Sequence, residues 1–288
     1  MTRTDSEYTV RAHGAEIFLT DTGGDGHPVV LLHGGGPGAS GMSNYSRNID
    51  ALAASYRVLV PDMPGYGRSS KRIDHDDPYG HLADALRGML DELRIGRAHL
   101  VGNSLGGAAA LRLALDTPQR VGKLVLMGPG GIGITRRLPT DGLKSLLSYY
   151  GGDGPSREKL AAFIRTYLVH DGAEVPDDLI DLRYLASIDP QVVADPPLRR
   201  PSGPRTLWRM DLTRDRRLRS LPNQTLVLWG RDDKVNRPDG GQMLLTMMPN
   251  AELVMTSRTG HWFQWERAEL FNQLVGDFLS SESAWATA

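Results

Sequence analysis

The segment Gly102-Asn103-Ser104-Leu105-Gly106 constrains this chain of 288 residues more than any other. An apolar run, Ala98-His99-Leu100-Val101, leads into it, and an alanine-rich helical run, Ala108 to Leu115, leads out. The turn therefore joins a buried strand to a helix. Side chains on the flanks of so tight a turn would collide, so glycine is required on both sides. The constriction pushes the serine hydroxyl out over the end of the sheet, where a base can reach it.

Other runs extend this pattern. Val29-Val30-Leu31-Leu32, Arg57-Val58-Leu59-Val60, Lys123-Leu124-Val125-Leu126 and Thr225-Leu226-Val227-Leu228 read as strands covered on both faces. Glu252 to Met255 reads as a last strand. Helical patterns cover about Tyr79 to Leu93, Leu105 to Asp116, Gly240 to Met248 and Ala268 to Leu279. Such alternation implies a parallel sheet with helices on both faces. Tyr8-Thr9-Val10 and Glu16-Ile17-Phe18-Leu19 add an antiparallel hairpin at one edge. Between about Ile132 and Ser220 the strands stop. Helical patterns remain at Leu143 to Tyr150, Glu158 to Leu168 and Asp177 to Ser187, punctuated later by prolines at 190, 196, 197, 201 and 204. A serine elbow on such a sheet resembles the α/β-hydrolases. The resemblance implies the α/β-hydrolase fold, a mostly parallel eight-stranded sheet with an inserted helical lid. Residues 1–131 and 220–288 form the expected core, and 132–219 the expected lid.

Bulk properties exclude several classes. A formal net charge of −1 gives no electrostatic reason to expect nucleic acid or an anionic membrane as partner. The chain has no cysteine, which rules out disulfides and thiolate metal sites and suits a reducing cytoplasm. The polar start, Met1 to Glu7, lacks the apolar core of a signal peptide, and no apolar run approaches the ~18 residues of a membrane span. The last residues, Ser280 to Ala288, read as a frayed tail. No metal or cofactor is expected. Asp74-His75-Asp76-Asp77 reads as a solvated turn, and the basic run Arg214, Arg216, Arg217, Arg219 as a solvated lid or interface face.

A serine hydroxyl is a poor nucleophile at neutral pH. It needs a base within hydrogen-bond reach, and the base needs a third group to hold its tautomer. In α/β-hydrolases the chain order is serine, acid, histidine. Two histidines follow Ser104: His170 within the expected lid, and His261 in Gly260-His261-Trp262, between the last strand and the last helix. The second is in place to act as general base and later general acid. The acid belongs after the strand ending at Trp229, where the chain reads Gly230-Arg231-Asp232-Asp233. Successive side chains diverge, so only one carboxylate can face His261. The Gly-x-x-Asp spacing favours Asp233 and leaves Asp232 a solvated or salt-bridged neighbour. His33-Gly34-Gly35-Gly36-Pro37-Gly38 follows a strand and lacks the Gly-Lys-Ser/Thr ending of a phosphate-binding loop. Its glycines let backbone N–H groups approach a developing oxyanion. The expected donors are the N–H groups of Gly35 and Leu105, with His33 structural.

Longer segments carry a narrower likeness. Leu32 to Ala39, Ser43 to Asn48, Leu100 to Gly107, Leu126-Met127-Gly128-Pro129-Gly130-Gly131, Trp229 to Asp233 and Gly260-His261-Trp262 together closely resemble the meta-cleavage product hydrolases. That resemblance implies hydrolysis of the C5–C6 carbon–carbon bond of a 2-hydroxy-6-oxo-hexa-2,4-dienoate, without a cofactor, after ketonisation of the dienol. It also implies site residues. Asn44 and Asn103 would bind oxygens of the dienoate half, Arg183 its carboxylate, and Trp262 would pack beside it. Gly34 and Gly36 would flank the substrate. Leu168, with Leu143 and Leu146, would line the pocket for the substituent, where biphenyl-type members tend to carry an aromatic at the position of Leu168. The family implies a homo-oligomer, a dimer or larger. Competing readings are a serine esterase, a prolyl-iminopeptidase-like hydrolase, and a non-catalytic receptor using the same fold as a ligand cage.

Overall fold

The computed structural model describes residues 5–133 and 138–281. The N-terminal residues 1–4 and most of the expected tail, from 282 onward, lie outside that range. Strands β1 (Ser6–Ala12) and β2 (Ala15–Asp21) form the edge hairpin. The sheet continues through β3 (Pro28–Leu32), β4 (Arg57–Pro61), β5 (Ala98–Asn103), β6 (Val121–Met127), β7 (Thr225–Gly230) and β8 (Ala251–Thr256). Its eight strands lie in the order β1-β2-β4-β3-β5-β6-β7-β8. Pairing is antiparallel from β1 to β2 and from β2 to β4, and parallel from β4 onward.

The central strands bury both faces, so alternate residues feed different cores. Val30, Leu32, Leu100, Leu124 and Leu126 point into one core. Val29, Leu31, Val101 and Val125 point into the other. Among the described residues four α-helices precede β6: α1 (Gly41–Tyr45), α2 (Ile49–Ala53), α3 (Pro78–Glu92) and α4 (Leu105–Asp116). Tyr45, Ile49 and Leu52 seal the second core, while Leu82, Leu86, Leu111 and Leu115 seal the first.

All described elements between β6 and β7 are helical. They include α5 (Asp141–Ser148), α6 (Arg157–Phe163), α7 (Asp177–Ser187), α8 (Pro190–Ala194) and α9 (Pro204–Arg209). The expected start of the insertion, at Ile132, adjoins residues 134–137, which are outside the described range. The pattern from Glu158 to Leu168 predicts one helix, but α6 ends at Phe163 and Ile164–Leu168 forms a π-helical turn. Its closing bond runs from Val169 N–H to the carbonyl of Ile164. The wider turn re-aims the following backbone, a device common near functional sites. The insertion has its own apolar core, built on Leu160, Phe163, Ile164 and Ile180, which Trp262 and Trp265 enter from outside it. The chain ends with α10 (Asp239–Met247), α11 (Phe263–Glu266) and α12 (Ala268–Ser280). Among the described residues no helix is long and apolar enough to cross a membrane, and no group of three or more His, Asp or Glu could hold a metal ion.

Candidate active site

Ser104 sits between β5 and α4 with φ 52° and ψ −110°, a conformation that L-residues rarely adopt. The turn is held by Ser104 N–H donating to Met127 O at 2.9 Å and by the Ser104 carbonyl accepting from Gly130 N–H at 2.9 Å. A Cβ at Gly106 would overlap the Leu32 carbonyl, and one at Gly102 would meet Gly106. Close backbone approach, as the sequence implies, explains both glycines.

Asp233 follows β7, and His261 follows β8. Nδ1 of His261 lies 2.7 Å from Oδ2 of Asp233. The same oxygen accepts from the Trp229 indole at 3.1 Å. Oδ1 accepts from the N–H groups of Val235 at 2.7 Å and Asn236 at 2.9 Å. Since a carboxylate oxygen accepts, Nδ1 of His261 carries the proton and Nε2 presents its lone pair. That Nε2 is buried and has no hydrogen-bond partner among the described residues. Asp232 points elsewhere, 3.2 Å from Nδ1 of His170. The imidazole backbone is also fixed: His261 N–H donates to the Leu168 carbonyl at 2.9 Å, so the π-helical turn reaches the loop directly.

The glycine loop packs on the elbow. A Cβ at Gly35 would stand 2.9 Å from Leu105 Cδ2 and 3.0 Å from the Tyr66 hydroxyl oxygen. Leu105 opens α4, where an N–H has no partner within its own helix. Buried His33 lies beneath the loop. Its Nε2 accepts from Met63 N–H at 2.9 Å, so Nδ1 carries the proton and donates to Gly34 O at 2.8 Å. Burial holds this imidazole below the usual histidine range, which keeps it neutral. In a trans peptide the C=O and N–H point in opposite directions. Drawing Gly34 O towards His33 therefore turns Gly35 N–H away from it.

Ser104 and His261 line one small, narrow cavity. Gly34, Gly35 and Gly36 form part of its wall, with Asn44, Asn103 and Trp262. The insertion supplies Leu146, Phe163, Leu168 and Arg183. Leu143, Asp233 and Leu105 are not part of the lining. Phe163 is an addition: on sequence it is one more apolar residue of an amphipathic helix.

Arg183 is 2% exposed. Its Nε and Nη2 donate to the Pro37 carbonyl at 3.1 and 3.0 Å. The guanidinium carbon lies 5.3 Å from the centroid of the Trp262 ring. Burial pushes the guanidinium down to about 10, which leaves it cationic at neutral pH. No carboxylate among the described residues pairs with it.

Both asparagines line the cavity, and their amide donors are bonded to the protein itself. Asn103 Nδ2 donates to the carbonyls of Met127 at 3.2 Å and His261 at 3.1 Å. Asn44 Nδ2 donates to Ser40 O at 3.0 Å and Ser43 Oγ at 3.3 Å. Its Oδ1 accepts from the Trp262 indole at 3.0 Å and from Gly34 N–H at 3.4 Å. With their donors committed, these side chains brace the loops of the cavity.

The α/β hydrolase fold family model matches residues 28–268. A 2-hydroxy-6-oxo-6-phenylhexa-2,4-dienoate hydrolase of Burkholderia cepacia is 42% identical, over 92% of this chain and 91% of its own. A 2-hydroxy-6-oxononadienedioate/2-hydroxy-6-oxononatrienedioate hydrolase of Comamonas testosteroni is 41% identical over the same shares. This chain belongs to the meta-cleavage product hydrolases. A solved meta-cleavage product hydrolase from Pseudomonas fluorescens IP01 superposes with a TM-score of 0.83 at 34% identity, covering 94% of this chain and 97% of the other. The 2-hydroxy-6-oxo-6-phenylhexa-2,4-dienoate hydrolase of Rhodococcus sp. strain RHA1 gives 0.84 at 26% identity, covering 97% of this chain and 100% of its own.

Proposed function

We propose that this protein hydrolyses the C5–C6 bond of a 2-hydroxy-6-oxo-hexa-2,4-dienoate to 2-hydroxypenta-2,4-dienoate and a carboxylic acid. Ser104 is the nucleophile, His261 the base and Asp233 its orienting acid. The observation that carries this reading is Arg183, a buried guanidinium without a carboxylate partner among the described residues, lining the cavity that Ser104 and His261 also line. An uncompensated buried charge is expensive, so the cavity is built for an anion. A simple esterase has no use for it.

In this reading the substrate carboxylate pairs with Arg183, an ionic fork suited to guanidinium. His261 assists delivery of a proton to C5, giving the keto tautomer. Ser104 then adds to the C6 carbonyl as His261 Nε2 takes its proton, and the N–H groups of Gly35 and Leu105 hold the oxyanion. The C5–C6 bond breaks with its electron pair leaving on C5, stabilised into the dienolate, which is reprotonated. Water, deprotonated by His261, releases the acyl group from Ser104. The helical insertion, 132–219, acts as the lid that keeps other water out. A cytoplasmic homo-oligomer, dimer or larger, fits the family and the cysteine-free sequence.

The experiment is a panel of ring-opened 3-substituted catechols with phenyl, alkyl and steroid-like substituents, followed by loss of the dienolate absorbance. Decay with at least one is expected. No decay with any, alongside ready hydrolysis of simple esters, would favour the esterase.

A further inference from the structure

Glu266 closes α11, five residues beyond His261. Its Oε1 accepts from Gly260 N–H at 2.9 Å, and its Oε2 from the same N–H at 3.1 Å and from His170 N–H at 2.7 Å. Gly260 immediately precedes His261. His170 lies two residues past Leu168, whose carbonyl accepts His261 N–H. One carboxylate thus ties the loop that carries the base to the segment that leaves the π-helical turn. Asn103 holds the same loop from the elbow side, through the His261 carbonyl.

We propose that Glu266 is a positioning residue for His261, locking its loop to the helical insertion so that the imidazole is aligned only when the insertion is seated. This rests on the reading of His261 as the base. Burial pushes the Glu266 carboxyl above its ordinary value, and the amides of His170, Gly260 and Trp262 pull it back. A half-buried carboxylate facing backbone donors from two chain segments serves as a clamp, since it satisfies N–H groups that would otherwise lose their acceptor. Removing it leaves the N–H groups of Gly260 and His170 without this acceptor.

The test uses the full chain with Glu266→Ala and Glu266→Gln. It measures kcat and KM on ring-opened 3-phenylcatechol, the rate of inactivation by a serine-directed fluorophosphonate, and thermal melting. A displacement of about 1 Å can cost about 100-fold in rate. For Glu266→Ala, kcat and the inactivation rate are expected to fall together by about 10- to 100-fold, with KM within about threefold. Glu266→Gln, whose one amide oxygen must take both N–H groups alone because its NH2 cannot accept, should recover part of the loss. It carries the test alone if the alanine variant does not fold. If kcat and the inactivation rate stay within about threefold of wild type while only the melting temperature drops, Glu266 is merely structural and the proposal falls. Wild-type protein that takes the fluorophosphonate but leaves the dienoate intact would remove the carbon–carbon hydrolase reading. The role of Glu266 would still be read from the inactivation rates.

Discussion

Asp233 and His261 are joined by one 2.7 Å hydrogen bond, and the carboxylate accepts three more, from Trp229, Val235 and Asn236. All four partners are donors. An amide in place of this carboxylate would aim its NH2 at one of them whichever way it turned. Asp233→Asn should therefore favour the wrong His261 tautomer and lower kcat by about 10³- to 10⁴-fold, with a smaller change in KM. Pre-steady-state and steady-state decay of the dienolate check this. A loss below tenfold would move the acid elsewhere, Asp232 being the neighbour to test next.

Ser104→Ala should abolish turnover and leave dienolate binding within a few-fold, since Arg183 and the cavity wall remain. Spectral titration of the variant separates the two. Residual turnover near the wild-type rate would mean that the serine is not the nucleophile.

Gly38 has φ +63°, and a Cβ there would overlap the backbone carbonyl of Arg183. Gly38→Ala should push α7 off the glycine loop. KM for the dienoate is expected to rise by about tenfold or more, with a loss of stability. Arg183→Gln should raise KM without that loss, so the pair distinguishes displacement of the guanidinium from its removal. An unchanged KM in Arg183→Gln would place the carboxylate site elsewhere.

The elbow and the pairing of Asp233 with His261 were legible in the sequence because their constraints are local: glycines where backbones nearly touch, and each candidate residue just past a strand. Asp233 could be separated from Asp232 by the same local spacing. The committed donors of Asn44 and Asn103 were not legible, since Trp262, Met127 and His261 reach them from distant segments. Nor was the π-helical turn, because α and π turns share one apolar pattern over five residues. Phe163 looks like any core residue of α6 until the insertion folds over Arg183. Glu266 acts on His170 across 96 positions, a separation that no spacing rule covers.

His99, on β5, sets an acid limit on stability. Its Nδ1 accepts from Lys123 N–H at 2.8 Å, which requires the neutral ring. Burial, aided by the charges of His27, Lys123 and Arg97, lowers it to about 3. Below its ordinary value of 6.5 the unfolded chain binds a proton that the folded chain refuses. This contribution to stability is full above 6.5 and is lost as the pH falls towards about 3. By about pH 5 the loss is up to about 2 kcal/mol. His99→Asn keeps an acceptor near the Nδ1 position and cannot titrate. Urea midpoints at pH 7.5 and 5 should fall less in the variant than in wild type. Equal falls would show that His99 is not protected. His33, also held neutral, is common to both proteins and cancels.

Substituent choice follows from charge. The curated relatives divide between a 6-phenylhexadienoate and a nonadienedioate, and the second carries an additional carboxylate. Among the described residues lining the cavity, Arg183 is the only guanidinium or ammonium group. In the proposed reading, the carboxylate common to both substrates takes it. Leu146, Phe163 and Leu168 offer a second carboxylate no donor, and a buried unpaired charge is costly. The 6-phenyl substrate should therefore exceed the nonadienedioate in kcat/KM by about tenfold or more. Competition between the two in one cuvette measures the ratio directly. Equal use of the diacid would require a further cation at the cavity.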